Sequence, residues 1–386
     1  MLYKNCMKRK EFLRARKLEA IIFIIAVVTI FSYIGYNMGT ANMFNTIMRT
    51  AHDLLVNTVF YIMAICVISG AFGKLLIEFG VVRLLESLLS PLMRPIFNLP
   101  GVASLGALMT FFSDNPAIIS LAEDKKFKSY FKDYELVSLA NFGTAFGMGL
   151  IVITFMIGNQ YFLSTFIGFG GAVIGAIVST RLMQYLVKGK IKKESEREFV
   201  AKEKYISFKS RGSIGQRFLN AVLDGGKQGV DLGLAIIPGV LIISTFIMLI
   251  TFGAKDSIIG YQGLAYEGVP ILPGIGQYFS FIFKILFGFE NPELIAFPIT
   301  SLGAVGAALS LVKAFMTKNI ITGNEIAVFT AMGMCWSGYL STHTAMLDAL
   351  NKRYLTSRAL FSHTIGGLSA GISAHYLYVL YKTIFL

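Results

Sequence analysis

Residues 136–158 carry no charged side chain, and neither do residues 20–38. Runs of this kind match the ~20 apolar residues that a helix needs to cross a ~30 Å hydrocarbon core. Such runs recur along the chain, which is 55% hydrophobic and only 15% charged. The sequence therefore reads as an all-α polytopic membrane protein. Its 386 residues leave room for about seven spans and two shorter re-entrant pieces.

Two apolar stretches are too interrupted to cross directly. Ser-Leu-Gly-Ala occurs at 104–107 and again at 301–304, within the stretches 101–122 and 293–314. The first has Ser113-Asp114-Asn115-Pro116 near its middle. A helix over 101–112 would rise only ~18 Å, so the segment is expected to enter, turn at the polar residues and leave on the same side. Paired broken helices in two halves of a chain are a sequence pointer to a transporter binding site.

The net charge of +13 excludes little by itself. The Lys and Arg residues sit between the apolar runs, where they set topology rather than hold nucleic acid. Lys4, Lys8, Arg9, Lys10, Arg14, Arg16 and Lys17 precede the first span, 20–38, which lacks a small-residue cleavage site and reads as a retained helix with its N-terminus inside. Loop 39–53 fits the outside, and span 54–74 returns. Residues 75–98 fit an amphipathic surface helix on the inner side. Lys125, Lys126, Lys128 and Lys132 place 123–135 inside. Spans 136–158 and 161–187 follow.

Residues 188–217 hold ten basic against four acidic side chains and form an inner linker. After it come span 231–253, an outer loop 254–276, a short surface helix 277–289, the second broken segment, and spans 325–345 and 359–381. The C-terminus then lies outside. Lys313 and Lys318 are exceptions to the charge pattern. The expected organisation is a basic N-terminus and first span (1–53), one repeat (54–187), the linker (188–217) and a second, inverted repeat (218–386). Cys6, Cys66 and Cys335 have spacing suited to neither disulfides nor zinc.

The stretch beginning at Arg83, RLLESLLSPLMRPIFNLPGVASLGALMTFFSDNPAI, resembles the Gate, or nucleoside-recognition, domain. That domain is shared by concentrative nucleoside transporters, the membrane part of ferrous-iron transport protein B and spore maturation proteins A and B. The order surface helix, hairpin, span, span, taken twice, resembles the nucleoside-transporter core over roughly 54–386. The resemblance implies that fold, two inverted repeats, and a trimer or a partner Gate-domain protein. The transporters' Gln-Thr-Glu and Asn-Glu-Phe elements are absent here, and Asp114 stands where the iron transporter has a cysteine.

Asp114 is the leading site candidate. A carboxylate at bilayer depth costs about 2.5–3.5 kcal/mol and needs a cation, a proton, a partner or a water cavity; at a water-exposed edge Asp114 would only cap its helix. With the Ser113 hydroxyl and the free carbonyls of the preceding half-helix it would form a hard-cation shell. Asn115 and Pro116 suit the N-cap and first turn of the next half-helix, where Asn115 would meet a polar substrate group. Asn141 and Thr144 share a face of the next span. There the resemblance implies contact with cation or substrate near the first hairpin tip, Asn141 on the substrate and Thr144 on the cation or proton. Ser337, Ser341, Thr344 and Asp348 form a stripe along the sixth span, 325–345. There the resemblance implies substrate contact through Ser337 and Ser341. His343 and His363 are intramembrane and read as packing residues or proton carriers.

The function expected is a secondary transporter or permease for a small polar solute, nucleoside-like or another organic substrate. It would be driven by Na+ or H+, would need no cofactor and would sit in a bacterial-type plasma membrane. The alternatives are a non-transporting subunit of an envelope or developmental complex, and a lipid transporter. No metalloprotease, nucleophile-elbow or phosphate-loop motif is present, so an enzyme is not expected.

Overall fold

The computed structural model describes residues 2–188 and 212–385, with side chains from residue 16 onward except that of residue 126. Every regular element among them is helical. A single isolated bridge, Asp256–Gly260, is the sole extended pairing there. Five helical stretches are long and apolar enough to cross a membrane: Arg16–Met38, Thr40–Glu78, Asp133–Gly158, Phe162–Val187 and Ile214–Thr251. The protein is a multi-pass membrane protein.

Helix α1 (Leu2–Met38) leaves its side chains exposed over most of 18–30, as a lipid-facing helix does, and joins the body at its far end. There Ile34 and Met38 pack with Met43, Leu249 and Val269. Residues 39–53, expected as a loop, form α2 (Thr40–Asp53). The reason is tertiary: Met43, Thr46 and Thr50 are buried, and the loop 261–266 lies across them. Asn42 Nδ2 donates to the Tyr261 carbonyl at 2.9 Å, the Tyr266 amide donates to Thr50 Oγ1 at 2.9 Å, and the Tyr266 hydroxyl donates to Asp53.

A π-helical turn, Leu54–Val59, continues into α3 (Phe60–Glu78), so the crossing ends four residues later than residue 74. Gly80, in the left-handed region at φ 80°, turns the chain into the surface helix α4 (Val81–Leu92). Next comes the first hairpin, α5 (Ala103–Phe112) and α6 (Pro116–Glu123), close to the limits expected for 101–122. After the short α7 (Lys125–Lys128) the next crossing is not continuous. It is α8 (Asp133–Thr144), a turn, and α9 (Gly149–Gly158), with Met148 at φ 52°. Helix α10 (Phe162–Val187) follows.

The greater part of the basic linker, 189–211, lies outside the described residues. Helix α11 (Ile214–Ala235) begins well before residue 231. The sequence assigns no element to residues 218–230, and in the structure Ala221, Gly225, Gly229 and Gly233 form a small-residue stripe that seats this helix against α3. A Cβ on Gly225 would come within 2.4 Å of the Gly70 carbonyl oxygen, and one on Gly229 within 2.4 Å of that of Cys66. Such close backbone approach is the usual device for packing helices in lipid. The crossing ends through a π-helical segment, Gly239–Ser244, and α12 (Thr245–Thr251).

Two short helices, α13 (Ile271–Gly276) and α14 (Ser280–Phe287), precede the second hairpin, α15 (Ala296–Gly303) and α16 (Val305–Thr317). The sixth span is also broken, into α17 (Gly323–Cys335) and α18 (Tyr339–Ala349), with Gly338 at φ 66°. Helix α19 (Thr356–Phe385) closes the chain.

Like-placed elements of the two halves share details. Each broken span starts on a capping box whose third residue is a buried glutamate. Glu135 accepts from the Lys132 amide at 2.9 Å and pairs with Arg94 at 2.5 Å. Glu325 accepts from the Thr322 amide at 2.7 Å and its hydroxyl at 2.6 Å. Each span then breaks at a left-handed residue. The like-placed helices α3 and α11 run antiparallel, Gly70 opposite Gly225 and Cys66 opposite Gly229. So do α10 and α19, Gly171 opposite Ala374 and Gly175 opposite Ala370. Glu135→Ala leaves the Arg94 end of this cap unpaired and should cost about 2–3 kcal/mol. A melting temperature of the purified variant equal to that of the parent would refute that role.

Candidate functional site

Asn115 occupies the meeting point of three discontinuities. It stands immediately before Pro116, where a helix N-cap belongs, yet its side chain makes no capping bond. Instead Nδ2 donates to both the carbonyl and the Oγ of Ser337, each at 3.3 Å. Ser337 is fully buried in the break between α17 and α18. On the other side lies the break between α8 and α9: a Cβ on Gly147 would fall 2.3 Å from Asn115 Oδ1. A Cβ on Gly338 would fall 2.5 Å from Asn115 Nδ2. The absence of side chains at these two glycines is what admits the amide. Asn115 is 6% exposed, and its Oδ1 has no partner among the described residues.

A buried amide oxygen without a donor costs about 1–3 kcal/mol. A donor from a polar ligand or a water would satisfy it. Asp114 Oδ1 is likewise buried and unpartnered. Ser113 Oγ donates to the Met109 carbonyl at 2.6 Å, which leaves its oxygen lone pairs free. The carbonyl of Phe112 rests on α3 at Gly73, where an added Cβ would be 2.3 Å away. The elbow thus presents oxygens: two carboxylate, one amide and one hydroxyl.

The structure brings Ser113, Asp114, Asn115 and Ser337 to this elbow and its facing break. It does not join the other candidates to them by hydrogen bonds. Asn141 Nδ2 turns to Ser179 Oγ, Ser362 Oγ and the Ala359 carbonyl at 2.9–3.0 Å, toward α10 and α19. Thr144 is buried and donates to the Ala140 carbonyl at 2.6 Å. Ser341 is exposed. The stripe drawn through Ser337, Ser341, Thr344 and Asp348 assumed an unbroken helix. Because α17 ends at Cys335, Ser337 lies in the break, while Asp348 is 3.4 Å from Arg353 with its side chain 44% exposed.

Sequence reasoning missed a second polar cluster. Ser179 Oγ is 2.8 Å from His363 Nδ1, and His363 Nε2 meets the Cys335 carbonyl at the end of α17. With Nε2 donating, Nδ1 accepts from Ser179, which accepts in turn from Asn141. The His343 ring lies 4.5 Å from that of His363, and its Nδ1 meets the Tyr339 carbonyl at 2.5 Å. The cluster anchors the α17–α18 break against α19. The small residues around the break, Ser337 and Gly338 in one span and Gly147 and Gly149 in the other, were the available signal.

The second hairpin is different in kind. Ala304 at its tip packs near Gly239, and Gly306 near Ile236. Its hydroxyls are spent within the fold: Thr300 on Ala296, Ser301 on Phe297 and Ser310 on Ala307.

A structure of CNTnw in an inward-facing substrate-bound state superimposes with a TM-score of 0.56, covering 95% of this chain and 86% of that one at 13% identity. The fold is that of CNTnw. A doubly substituted CNTnw in an outward-facing state gives a TM-score of 0.53 over 96% and 86% of the two chains, again at 13% identity. The sporulation integral membrane protein YlbJ of Bacillus subtilis (strain 168) is 40% identical over 70 residues. That stretch amounts to 18% of this chain and 17% of YlbJ. No family model matches the sequence. The all-helical, transporter-like membrane fold expected from the sequence is therefore present.

Proposed function

We propose that this protein is a secondary transporter for a small polar solute, coupled to Na+ or H+, with its site at the first hairpin elbow. One observation carries the reading: Asn115 is clasped between the breaks of two spans while its Oδ1 stays buried and unpartnered. Broken helices place main-chain carbonyls and amides at mid-membrane, where they bind ions and polar groups. Asn115 and Ser337 are the substrate contacts, with Asn141 and Ser341 joining them only when the spans shift. Ser113, Asp114 and Thr144 hold the cation or proton. The antiparallel course of like-placed helices supports two inverted Gate-like repeats, and CNTnw, described as inward-facing and substrate-bound, supports a moving hairpin. By the positive-inside rule the N-terminus is cytoplasmic and the C-terminus external.

The test is a thermal-shift screen of the purified protein with nucleosides, nucleobases and amino acids, with and without sodium. Proteoliposome uptake of any hit follows. A solute-dependent rise in melting temperature is expected, sensitive to sodium or pH. No shift with any class, together with an obligate co-purifying membrane protein, would favour the second reading, a non-transporting subunit. The partial likeness to YlbJ and the apolar second hairpin are what favour that reading.

A further inference from the structure

A polar layer lies one helical turn from an apolar one, and two of its atoms are unsatisfied. Val137 of α8, Met183 of α10, Leu347 of α18 and Ala359 of α19 belong to one buried cluster. Residues four apart share a helix face, so the next layer of the same four helices is Asn141, Ser179, His343 and His363. The contacts agree. Asn141 Nδ2 donates to Ser179 Oγ at 2.9 Å, Ser179 Oγ is 2.8 Å from His363 Nδ1, and the rings of His363 and His343 are 4.5 Å apart. Asn141, His343 and His363 are fully buried. Yet Asn141 Oδ1 and His343 Nε2 have no hydrogen-bond partner among the described residues.

The hydrogen bonds fix the protons. A carbonyl only accepts, so His343 Nδ1, 2.5 Å from the Tyr339 carbonyl, carries a proton. A second proton on Nε2 would be a buried N–H with no acceptor, so Nε2 keeps its lone pair and the ring is neutral in this state. His363 is the opposite tautomer: Nε2 donates to the Cys335 carbonyl and Nδ1 accepts from Ser179. Both its nitrogens are committed, and a further proton would break the tie to Ser179. His343 Nε2 is thus a buried basic atom with nothing to do. Two ionisable groups stand against its ring, Tyr339 of its own helix and His363 of α19. Of the other elements packed on α18, α15 carries no ionisable side chain, Glu123 closes α6, Glu135 opens α8 more than a turn from Asn141, and Arg353 lies beyond the far end of α18.

The first turn of α18 also reaches the elbow. Asn115 Nδ2 holds Ser337, two residues before Tyr339, whose carbonyl holds His343. Within that turn a Cβ on Gly338 would fall 2.3 Å from Thr342 Oγ1 as well as against Asn115. The elbow contact and His343 therefore share one close-packed segment, and freeing Ser337 lets the start of α18 shift.

We propose that His343 Nε2 is a seat of the coupling proton: unprotonated while Asn115 holds Ser337, protonated once the elbow lets go, with Asn141 Oδ1 as an acceptor in the same layer. This rests on the elbow being the transport site, and it makes H+ a coupling ion. By linkage, whatever frees the elbow raises the proton affinity of His343, and protonation favours the freed elbow. The proton is itself the probe. The full chain with nitrogen-15 in its histidine rings is titrated in liposomes from about pH 8 to about pH 4.5, around the ordinary histidine range, and read by solid-state NMR. Single substitutions assign the four histidines. At the alkaline end His343 should show the Nδ1–H form and His363 the Nε2–H form. In Asn115→Ala the His343 midpoint should rise by about one pH unit, roughly a tenfold gain in proton affinity, while His363 keeps its tautomer. Asn115→Ser, whose side chain is too short to hold Ser337, is a second variant with the same expectation. Equal His343 midpoints in the parent and both variants would overturn the proposal, as would an Nε2–H form of His343 in the parent at the alkaline end. If the midpoint shifts but no solute is carried, the transport reading fails and the proton site stands. If a solute is carried and His343→Gln leaves the pH dependence of its uptake unchanged, the proposal fails and the transport reading stands.

Discussion

Asp114→Asn should reduce coupled solute uptake in proteoliposomes by roughly 30- to 150-fold while leaving the melting temperature at or above that of the parent. The estimate follows from the ~2–3 kcal/mol that a charged group adds to a hydrogen-bonded contact, at 1.4 kcal/mol per tenfold. The sign on stability follows from the same geometry. Asp114 Oδ1 is buried without a partner, so in the empty protein its charge is a liability, and the amide removes it without changing shape. A structural aspartate would behave in the opposite way, losing stability and function together. Initial rates measured against sodium concentration and pH separate the cases. Unchanged uptake with unchanged ion dependence would remove Asp114 from the coupling machinery.

Gly229→Val should be the most damaging apolar substitution in the α3–α11 pair. Its Cβ would sit 2.4 Å from the Cys66 carbonyl oxygen and 2.5 Å from the Val67 Cα, backbone atoms that cannot rotate away. The helices must separate along their length, and overpacking of this type costs about 1–3 kcal/mol or more. At roughly 2–4 °C per kcal/mol, a fall of about 5–10 °C is expected, with loss of monodisperse protein on gel filtration. Gly226→Val is the control. Its Cβ would meet only a side-chain methyl of Val67, at 3.7 Å, on an apolar groove. Equal effects of the two substitutions would show that close backbone approach is not what holds the pair.

The first hairpin was legible because its break is chemical. Ser113, Asp114, Asn115 and Pro116 interrupt an apolar run, and the chain turns there. The surface helix α4 was legible from Arg83 among leucines. The breaks at 145–148 and 336–338 were not, because neither contains proline or charge. A glycine, or a methionine forced to φ 52°, ends each helix for a reason supplied by the neighbour, Asn115. Helix α11 was hidden by Asp224, Lys227 and Asp231, which lower hydropathy over half a span. The repeat of glycine every fourth residue was the stronger clue. Face assignments suffered where register was lost: Ser341 is exposed once the helix restarts at Tyr339, whereas Asn141, on the intact α8, chose hydroxyl partners on α10 and α19.

The Asn115 nitrogen ties the first elbow to Ser337 in the opposite half of the chain and leaves the amide oxygen over. Any molecule that also recruited that nitrogen would have to prise the elbow from the opposite half. On the proposed transport reading, occupancy and unlatching would then be a single event, and an empty carrier would stay tied shut.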